Sequence, residues 1–253
     1  MKVIRLLLLC AILITNVAFV WGFDMPDKRL TYDFYHNKST LTWDTEQYDK
    51  FKVGIKFYSV DITRITNGYY LAWDLNGLVR AVGQGDDETM ADDDIHHVEF
   101  FRYLRIRGSF QLAPFAPGKL MLAYNLLDWY KADADKVEKD EYRAGGIGVG
   151  VGLAHLLRTP SFTSHVAFCY NWGFNGDAKK INDSSLADKY TTLEADFWYW
   201  LSRGFGLTAK IHYENHDFKQ ITIKEVYPTA GPGKLKIMTY RLGISLAIAR
   251  DEW

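Results

Sequence analysis

The densest group of side chains able to bind a ligand lies in one acidic stretch, at Asp86, Asp87, Glu88, Asp92, Asp93 and Asp94, followed by His96 and His97. Carboxylate oxygens are the ligands that Ca²⁺ prefers, so this stretch could hold calcium or connect through cations to lipopolysaccharide. The spacing is not that of an EF-hand loop, and a run of like charges is more often a solvated loop. We therefore predict a hydrated acidic loop, with no metal site and no cofactor.

Two histidines have neighbours that could take part in hydrolysis: His165 follows Ser164, and His212 is two residues from Glu214. Consecutive residues of a strand point to opposite faces, which argues against a Ser164–His165 pair. The sequence contains no G-x-S-x-G, no H-E-x-x-H and no paired CxxC motif. Gly145 to Gly152 lacks the spacing of a phosphate-binding loop. We predict that the protein is not an enzyme, and a barrel enzyme acting on lipid remains an alternative.

The elements that would carry these residues alternate apolar and polar side chains with a period of two. Leu193, Ala195 and Phe197, for example, alternate with Glu194 and Asp196. The same alternation occurs at 51–57, 69–75, 98–112, 147–153, 162–172, 205–213 and 238–248. Such a segment forms a strand with one apolar and one polar face. After residue 22, no run of about 18 uncharged apolar residues occurs, so the pattern predicts no membrane-spanning helix.

The connections between these strands alternate between short and long along the chain. A tight Asn67-Gly68 turn is followed by a long acidic gap, and Ser202 to Gly204 by a long gap from Asp217 to Gly233. Short turns on one side and long loops on the other are typical of outer-membrane barrels. With a first strand at 30–34 and a first outer loop at 36–50, the strands number about ten, within a range of eight to twelve. The sequence thus predicts an all-β, antiparallel, up-and-down transmembrane β-barrel with both termini in the periplasm.

The ends and the composition agree with export. Residues 1–22 have a positive start at Lys2 and Arg5, an apolar core and small residues before a cleavage point, which predicts a signal peptide. Residues 23–253 then form one domain in the outer membrane of a Gram-negative bacterium. The chain has 30 basic and 31 acidic residues, which excludes the charge signature of a nucleic-acid partner. Trp253 is terminal but out of phase with the last strand, so an aromatic assembly signal is only partly present.

In lipid the apolar faces of the strands must point outward, and the polar faces therefore point into the barrel. On this basis we predict that the following residues line the lumen: Lys52, Lys56, Asp74, Glu99, Arg105, Arg107, His165, Glu194, Asp196, Lys210, His212, Glu214 and Arg241. Both signs of charge occur, so a narrow lumen could be closed by ion pairs and a wider one could conduct. The glycines from 146 to 152 either open space or let a bulky wall pack against them, with Trp198 and Trp200 as candidates.

Five short segments resemble a known family. Leu30-Thr31-Tyr32-Asp33-Phe34 is similar to the opening strand of Tsx-like barrels, the nucleoside-specific channel-forming outer-membrane proteins. Ser59-Val60-Asp61-Ile62, Thr66-Asn67-Gly68 and Tyr70-Leu71-Ala72-Trp73-Asp74 resemble the strands that follow, and Thr192 to Trp198 resembles another. The resemblance covers about three strands, and the members best known have about twelve. It implies a passive channel for small polar solutes, with nucleosides as one class. Stacking of a nucleobase on Trp73, Trp198 or Trp200 is one expectation, and girdle or packing roles are the other.

We therefore expect a porin-like channel whose partners are outer-membrane lipid and lipopolysaccharide, a small polar solute and the barrel-assembly machinery. The alternatives are a lipid-acting barrel enzyme, a structural or adhesive barrel, and a soluble ligand-binding barrel. A soluble barrel would bury the apolar faces and expose Lys52 and Glu194, so the placement of these faces separates the two architectures.

Overall fold

The computed structural model describes residues 29–45, 51–66, 68–74, 81–83, 95–111, 120–136, 141–174, 187–218, 222–224 and 233–248. These residues form strands and short turns. The strands are β1 (Arg29–Thr45), β2 (Phe51–Ile65), β3 (Tyr69–Asp74), β4 (Ala81–Gly83), β5 (Ile95–Gln111), β6 (Leu120–Lys136), β7 (Glu141–Arg158), β8 (Phe162–Phe174), β9 (Ala187–Trp200), β10 (Phe205–Phe218), β11 (Thr222–Lys224) and β12 (Gly233–Ile248).

The strands close into an antiparallel barrel. Around the wall the order is β1, β2, β3, β5, β6, β7, β8, β9, β10 and β12, and β12 pairs again with β1. β3 and β4 both pair with β5, one beyond the other, and together occupy one of the ten wall positions. The predicted fold class and the count of ten strands are confirmed. Closure satisfies the backbone hydrogen bonds of the wall without leaving a free edge.

The barrel is apolar outside and polar inside. Among the described residues, 24 large apolar side chains are exposed, and they include Leu193, Leu242 and Ile244. Asp33 and Asp61 are 0% exposed inside the barrel. Soluble monomers rarely expose contiguous apolar patches of this kind, so the arrangement is the reverse of a water-soluble core.

Part-way along β1, β2 and β12, the inner face changes from polar to apolar and the outer face from apolar to polar. We call the end with the turns at 66–69, 159–162 and 201–204 the lower end. In the lower half of β2, Val60 and Ile62 point outward while Asp61 and Thr63 are buried. In its upper half, Val53 and Ile55 are buried and the lysines point outward. We call the band of outward apolar side chains around the barrel, which includes Val60 and Ile62, the apolar belt. The prediction that Lys52 and Lys56 line the lumen is therefore wrong, because these lysines lie above the belt, where the outer face of the strand is polar.

The first predicted loop is shorter than expected because its strands continue above the belt. β1 reaches Thr45, so its connection to β2 is 46–50 rather than 36–50. The connection between β6, which reaches Lys136, and β7, which begins at Glu141, is also short. In the long gap after β10, β11 pairs with the upper end of β7, at Glu141 to Arg143.

Several predictions fall outside the described residues. These are the signal peptide at 1–22, the acidic stretch at 86–94, Asn67 and Trp253. The side chains of His96, His97 and Glu99 also lie outside the described part, although their backbone belongs to β5. Among the described residues, no helix is long and apolar enough to span a membrane.

Candidate functional site in the barrel lumen

The inward faces of six strands bring eight charged side chains together across the lumen. Strand alternation places every second residue inside, and the closed wall leaves these residues facing one another. We call them the charge layer: Asp61, Asp74, Arg105, Arg107, Glu194, Asp196, Lys210 and Arg241, each at most 5% exposed. Four are acidic and four are basic, so the layer is neutral as a unit.

Arg107 on β5 is the centre of the charge layer. Its Nε lies 3.0 Å from Oδ2 of Asp74, its Nη1 2.5 Å from Oε2 of Glu194 and its Nη2 2.8 Å from Oδ2 of Asp196. The planar guanidinium can bind several carboxylates at once, which a lysine could not do in the same geometry. Because β5 and β9 lie on different sides of the barrel, the ion pairs of Arg107 with Glu194 and Asp196 cross the lumen, whereas Asp74 lies on the neighbouring strand β3.

A second branch joins β2, β10 and β12. Lys210 Nζ lies 2.7 Å from Oδ2 of Asp61, and Arg241 Nη1 lies 3.2 Å from the same oxygen. Lys210 also approaches Oδ2 of Asp196, at 3.9 Å, which connects this branch to Arg107. The charge layer is therefore one continuous network, and removing a single member leaves opposite charges buried without their partner.

A third branch rises toward the upper end. Arg105 pairs with Glu194 and lies 3.9 Å from Asp128 on β6. Arg105 Nη1 is 3.1 Å from Nε2 of His212. Above it, His216 lies 2.9 Å from Glu214 and stacks on Tyr190 with ring centroids 4.3 Å apart. Polar side chains thus fill the lumen over several successive levels.

Below the charge layer, Asp33 on β1 is held by neutral donors. It accepts hydrogen bonds from Ser245 at 2.5 Å, Thr63 at 3.1 Å, Trp198 Nε1 at 3.2 Å and Thr31 at 3.3 Å. Four donors satisfy this buried carboxylate. This arrangement fixes β1 against β2, β9 and β12 at the lower end.

Ser109 and His165 form a hydrogen-bonded pair, with 2.9 Å between Oγ and Nε2. The His165 ring stacks on Tyr70 at 3.7 Å, and Tyr70 donates to Asp196 at 2.6 Å. A serine–histidine pair could in principle activate a nucleophile. The cavity beside it, lined by Arg105, Arg107, His165, Cys169 and Glu194 among others, has a volume of about 10 Å³, close to the space that one water molecule needs. That is below the usual range of small-molecule pockets.

At the glycines of β7, side chains of other strands lie close to the backbone. A Cβ at Gly148 would overlap the hydroxyl of Tyr190, and a Cβ at Gly150 would overlap the amide of Asn171. The bulky wall that packs here is therefore Tyr190 and Asn171, and not the Trp198 and Trp200 named from the sequence. Trp200 lies instead under the guanidinium of Arg29, 3.6 Å from its ring centre, and Trp198 bonds Asp33.

The predicted lumen residues are placed as follows. Ten of the thirteen are buried inside the barrel: Asp74, Arg105, Arg107, His165, Glu194, Asp196, Lys210, His212, Glu214 and Arg241. Lys52 and Lys56 are on the outer face. Trp73, one of the three predicted stacking residues, points outward and is partly buried, whereas the other two are buried inside.

Sequence reasoning missed Asp61, Asp128 and His216. Asp61 follows the phase change of β2, and Asp128 follows a register shift in β6 between Asn125 and Asp128. The change from Val53, Ile55 and Phe57 to Tyr58, Val60 and Ile62 was the signal for Asp61. No comparable signal marks a β-bulge, because it inserts an extra residue without changing composition. Asp33, Asp61, Asp74 and Asp196 all point inward.

Comparison with solved structures gives small membrane barrels. The outer membrane protein OprG from Pseudomonas aeruginosa is 8% identical, with 89% of this chain and 98% of that chain covered and a TM-score of 0.40. The outer membrane protease OmpT from Escherichia coli is 10% identical, with 91% and 100% covered and a TM-score of 0.43. The CymD monoaromatic hydrocarbon channel is 8% identical, with 90% of each chain covered and a TM-score of 0.33. No family model matches the chain, and no curated protein matches it. These structures differ in function, and none of them assigns an activity to this chain.

Proposed function

We propose that the protein is an outer-membrane β-barrel whose lumen is a path for small polar solutes, closed at rest by the charge layer. The observation that carries this proposal is the combination of an apolar outer face with a lumen filled by buried, mutually neutralised charges. An apolar exterior suits lipid, and buried charges that face a lumen can be hydrated when ion pairs separate. Barrel-assembly machinery and outer-membrane lipid are the partners that this location implies.

The charge layer supports a gated path rather than an open pore. Arg107 pairs with carboxylates of β3 and β9, so the ion pairs themselves occupy the cross-section of the lumen. Passage would require these pairs to exchange partners or take up water. In its more specific form, the proposal is that the solutes are nucleosides, which the resemblance to Tsx-like barrels implies. The proposal assigns no catalytic step to the chain, and the Ser109–His165 pair has a packing role in it.

Conductance across a planar bilayer tests the proposal. We expect the refolded, unmodified protein to give rare, small current steps. Arg107→Ala removes three ion pairs and leaves Asp74, Glu194 and Asp196 in mutual repulsion, so it should give larger and longer openings. Arg64→Ala, on the exposed outer face of β2, is the matched control and should behave like the unmodified protein. Nucleosides added to the open variant would then test block.

A structural or adhesive barrel is the second candidate. It is favoured by the strands that continue above the belt, where Leu41, Val53, Ile55, Leu235 and Ile237 form a buried apolar inner face. If both the unmodified protein and Arg107→Ala fold as barrels and neither conducts, the channel proposal is rejected and this candidate takes its place. A protein that is soluble without detergent would reject both.

A further inference from the structure

The ammonium group of Lys210 lies between two carboxylates and two aromatic rings. Its Nζ is 2.7 Å from Oδ2 of Asp61 and 3.9 Å from Oδ2 of Asp196. It is also 5.0 Å from the ring centre of Tyr35 and 5.6 Å from that of Trp198. Both distances are within the range at which a cation is attracted by an aromatic face. We call Asp61, Asp196, Tyr35 and Trp198 the cation cage, and each is at most 2% exposed.

The two carboxylates of the cation cage are held by residues other than Lys210. Arg241 Nη1 lies 3.2 Å from Oδ2 of Asp61, and Arg107 Nη2 lies 2.8 Å from Oδ2 of Asp196. Charge-assisted pairs of this kind fix the position of a carboxylate. Asp61 and Asp196 would therefore keep their places if the Lys210 ammonium moved away.

The two rings of the cation cage are also held independently of Lys210. The Tyr35 hydroxyl is hydrogen-bonded to the Thr208 hydroxyl, with 2.8 Å between the oxygens, and Trp198 Nε1 donates to Oδ1 of Asp33 at 3.2 Å. Each ring is thus fixed at its polar edge while its face is turned toward the ammonium. All four walls of the cage are positioned to bind a cation without help from the lysine.

Lys210 is the cation of the charge layer that can leave its position most easily. The other three cations of the layer are the arginines Arg105, Arg107 and Arg241, and Arg107 alone pairs with three carboxylates. A guanidinium is a rigid fork that holds carboxylates in a fixed geometry, whereas a lysine ammonium is a compact charge on a flexible stem. The cation cage is therefore the part of the charge layer where one cation can replace another.

We propose that the cation cage binds the ammonium group of a small organic cation, which takes the place of the Lys210 ammonium as the solute passes. The carboxylates accept hydrogen bonds from its N–H groups, and the ring faces attract its positive charge. The solute class is thus the primary alkylammonium ions, which differ from uncharged nucleosides in the charge that the cage would recognise. This inference rests on the proposed solute path, because it names the solute of that path.

Rescue of a vacated cage tests the site without requiring conduction. Lys210→Ala removes a chain of carbons and an ammonium group that together match n-propylammonium. We expect the full-length variant, refolded into vesicles, to unfold at a lower urea concentration than the unmodified protein. Propylammonium chloride should restore about half of the lost midpoint, because a ligand that binds only the folded state stabilises it. Equal gains from sodium chloride or from uridine at the same concentration would overturn the ammonium site.

Second substitutions locate the rescue at the cage. Combined with Lys210→Ala, Tyr35→Phe keeps the ring face, and Tyr35→Leu removes it. Propylammonium should stabilise the Phe variant clearly more than the Leu variant, and equal gains would overturn the role of the ring. Lys189→Ala, which removes an exposed lysine of β9, is the matched control. A gain in this control as large as in Lys210→Ala would overturn the location.

The reversal potential of the unmodified protein provides a second measurement that needs no variant to fold. In a planar bilayer with a gradient of propylammonium chloride, we expect the permeability of the cation to exceed that of chloride about tenfold. A preference for chloride would overturn the solute class. Rescue without conduction would support the cation cage and reject the solute path. Conduction with neither rescue nor a preference for the cation would overturn the cage and leave the proposed function standing.

Discussion

At the scale of single residues, Asp33 shows how the barrel satisfies a buried carboxylate without a cation in hydrogen-bonding contact. All four of its hydrogen-bond donors are neutral groups, and they come from β1, β2, β9 and β12. A charged acceptor makes stronger hydrogen bonds than a neutral one, and all four donor side chains are buried. Asp33 therefore links the first and last strands of the barrel with their neighbours.

Replacing Asp33 tests this role. Asp33→Ala removes the acceptor of four buried donors and should lower the free energy of unfolding by about 3 kcal/mol. Asp217→Ala is the control, because the Asp217 side chain is 57% exposed and its contact with Lys234 is long. It should cost less than about 1 kcal/mol. Urea-induced unfolding from lipid vesicles, followed by tryptophan fluorescence, measures both. Equal midpoints for the two variants would contradict the role given to Asp33.

The sequence could predict most buried charges because apolar residues alternate regularly with them. Glu194 and Asp196 on β9 alternate with Leu193, Ala195 and Phe197, and Lys210, His212 and Glu214 on β10 alternate with Ala209, Ile211 and Tyr213. The pairing within the charge layer could not be predicted. Which carboxylate meets Arg107 depends on register and closure across the lumen, and neither is encoded by alternation alone.

At the scale of the element, β2 explains why it is wrong to predict that every apolar strand face contacts lipid. Its inner face runs from Val53, Ile55 and Phe57 to Ser59, Asp61 and Thr63 without a break in alternation. A strand of 15 residues is longer than the 9–11 that cross a bilayer, so the part above the belt meets water on its outer face. There the ordinary rule of apolar inside and polar outside returns.

Adjacent substitutions on upper β2 test this inversion. Ile55→Ala removes a side chain that is 2% exposed and should lower the free energy of unfolding by about 2–4 kcal/mol. Lys56→Ala, one residue further and on the exposed face, should change it by less than about 0.5 kcal/mol. Unfolding in urea from vesicles measures both variants. If Lys56→Ala were the costlier change, Lys56 would face the lumen as the sequence pattern first indicated.

The glycine row of β7 is also a property of an element. Gly148→Ala would place a methyl group into the Tyr190 ring, and overpacking of this kind costs about 1–3 kcal/mol. Gly204→Ala, in the turn before β10, meets only Ala247 O at 3.6 Å and should be tolerated. Thermal unfolding in detergent, read by the loss of heat-modifiable migration, compares them. A Gly148→Ala barrel as stable as the Gly204→Ala barrel would mean that the row lines open space.

At the scale of the whole molecule, the barrel has three levels with different surroundings. The lower end has tight turns, closed by bonds such as Thr66 N to Tyr69 O at 2.8 Å. The middle has an apolar exterior around the charge layer, and the upper part has lysines outside β2 and apolar side chains inside it. Short turns on the periplasmic side are typical of outer-membrane barrels, so the upper part of β2, with Lys52 and Lys56 on its outer face, should face the outside of the cell.

Cysteine labelling of intact cells tests this orientation. Lys56→Cys lies on the exposed upper face, and Arg203→Cys lies in an exposed lower turn. A membrane-impermeant maleimide should label Lys56→Cys in intact cells, and Arg203→Cys only after the outer membrane is permeabilised. The unmodified protein is the control, because Cys169 is buried and should react little with the reagent. Labelling of Arg203→Cys but not Lys56→Cys in intact cells would reverse the barrel. The upper part of β2 would then face the periplasm.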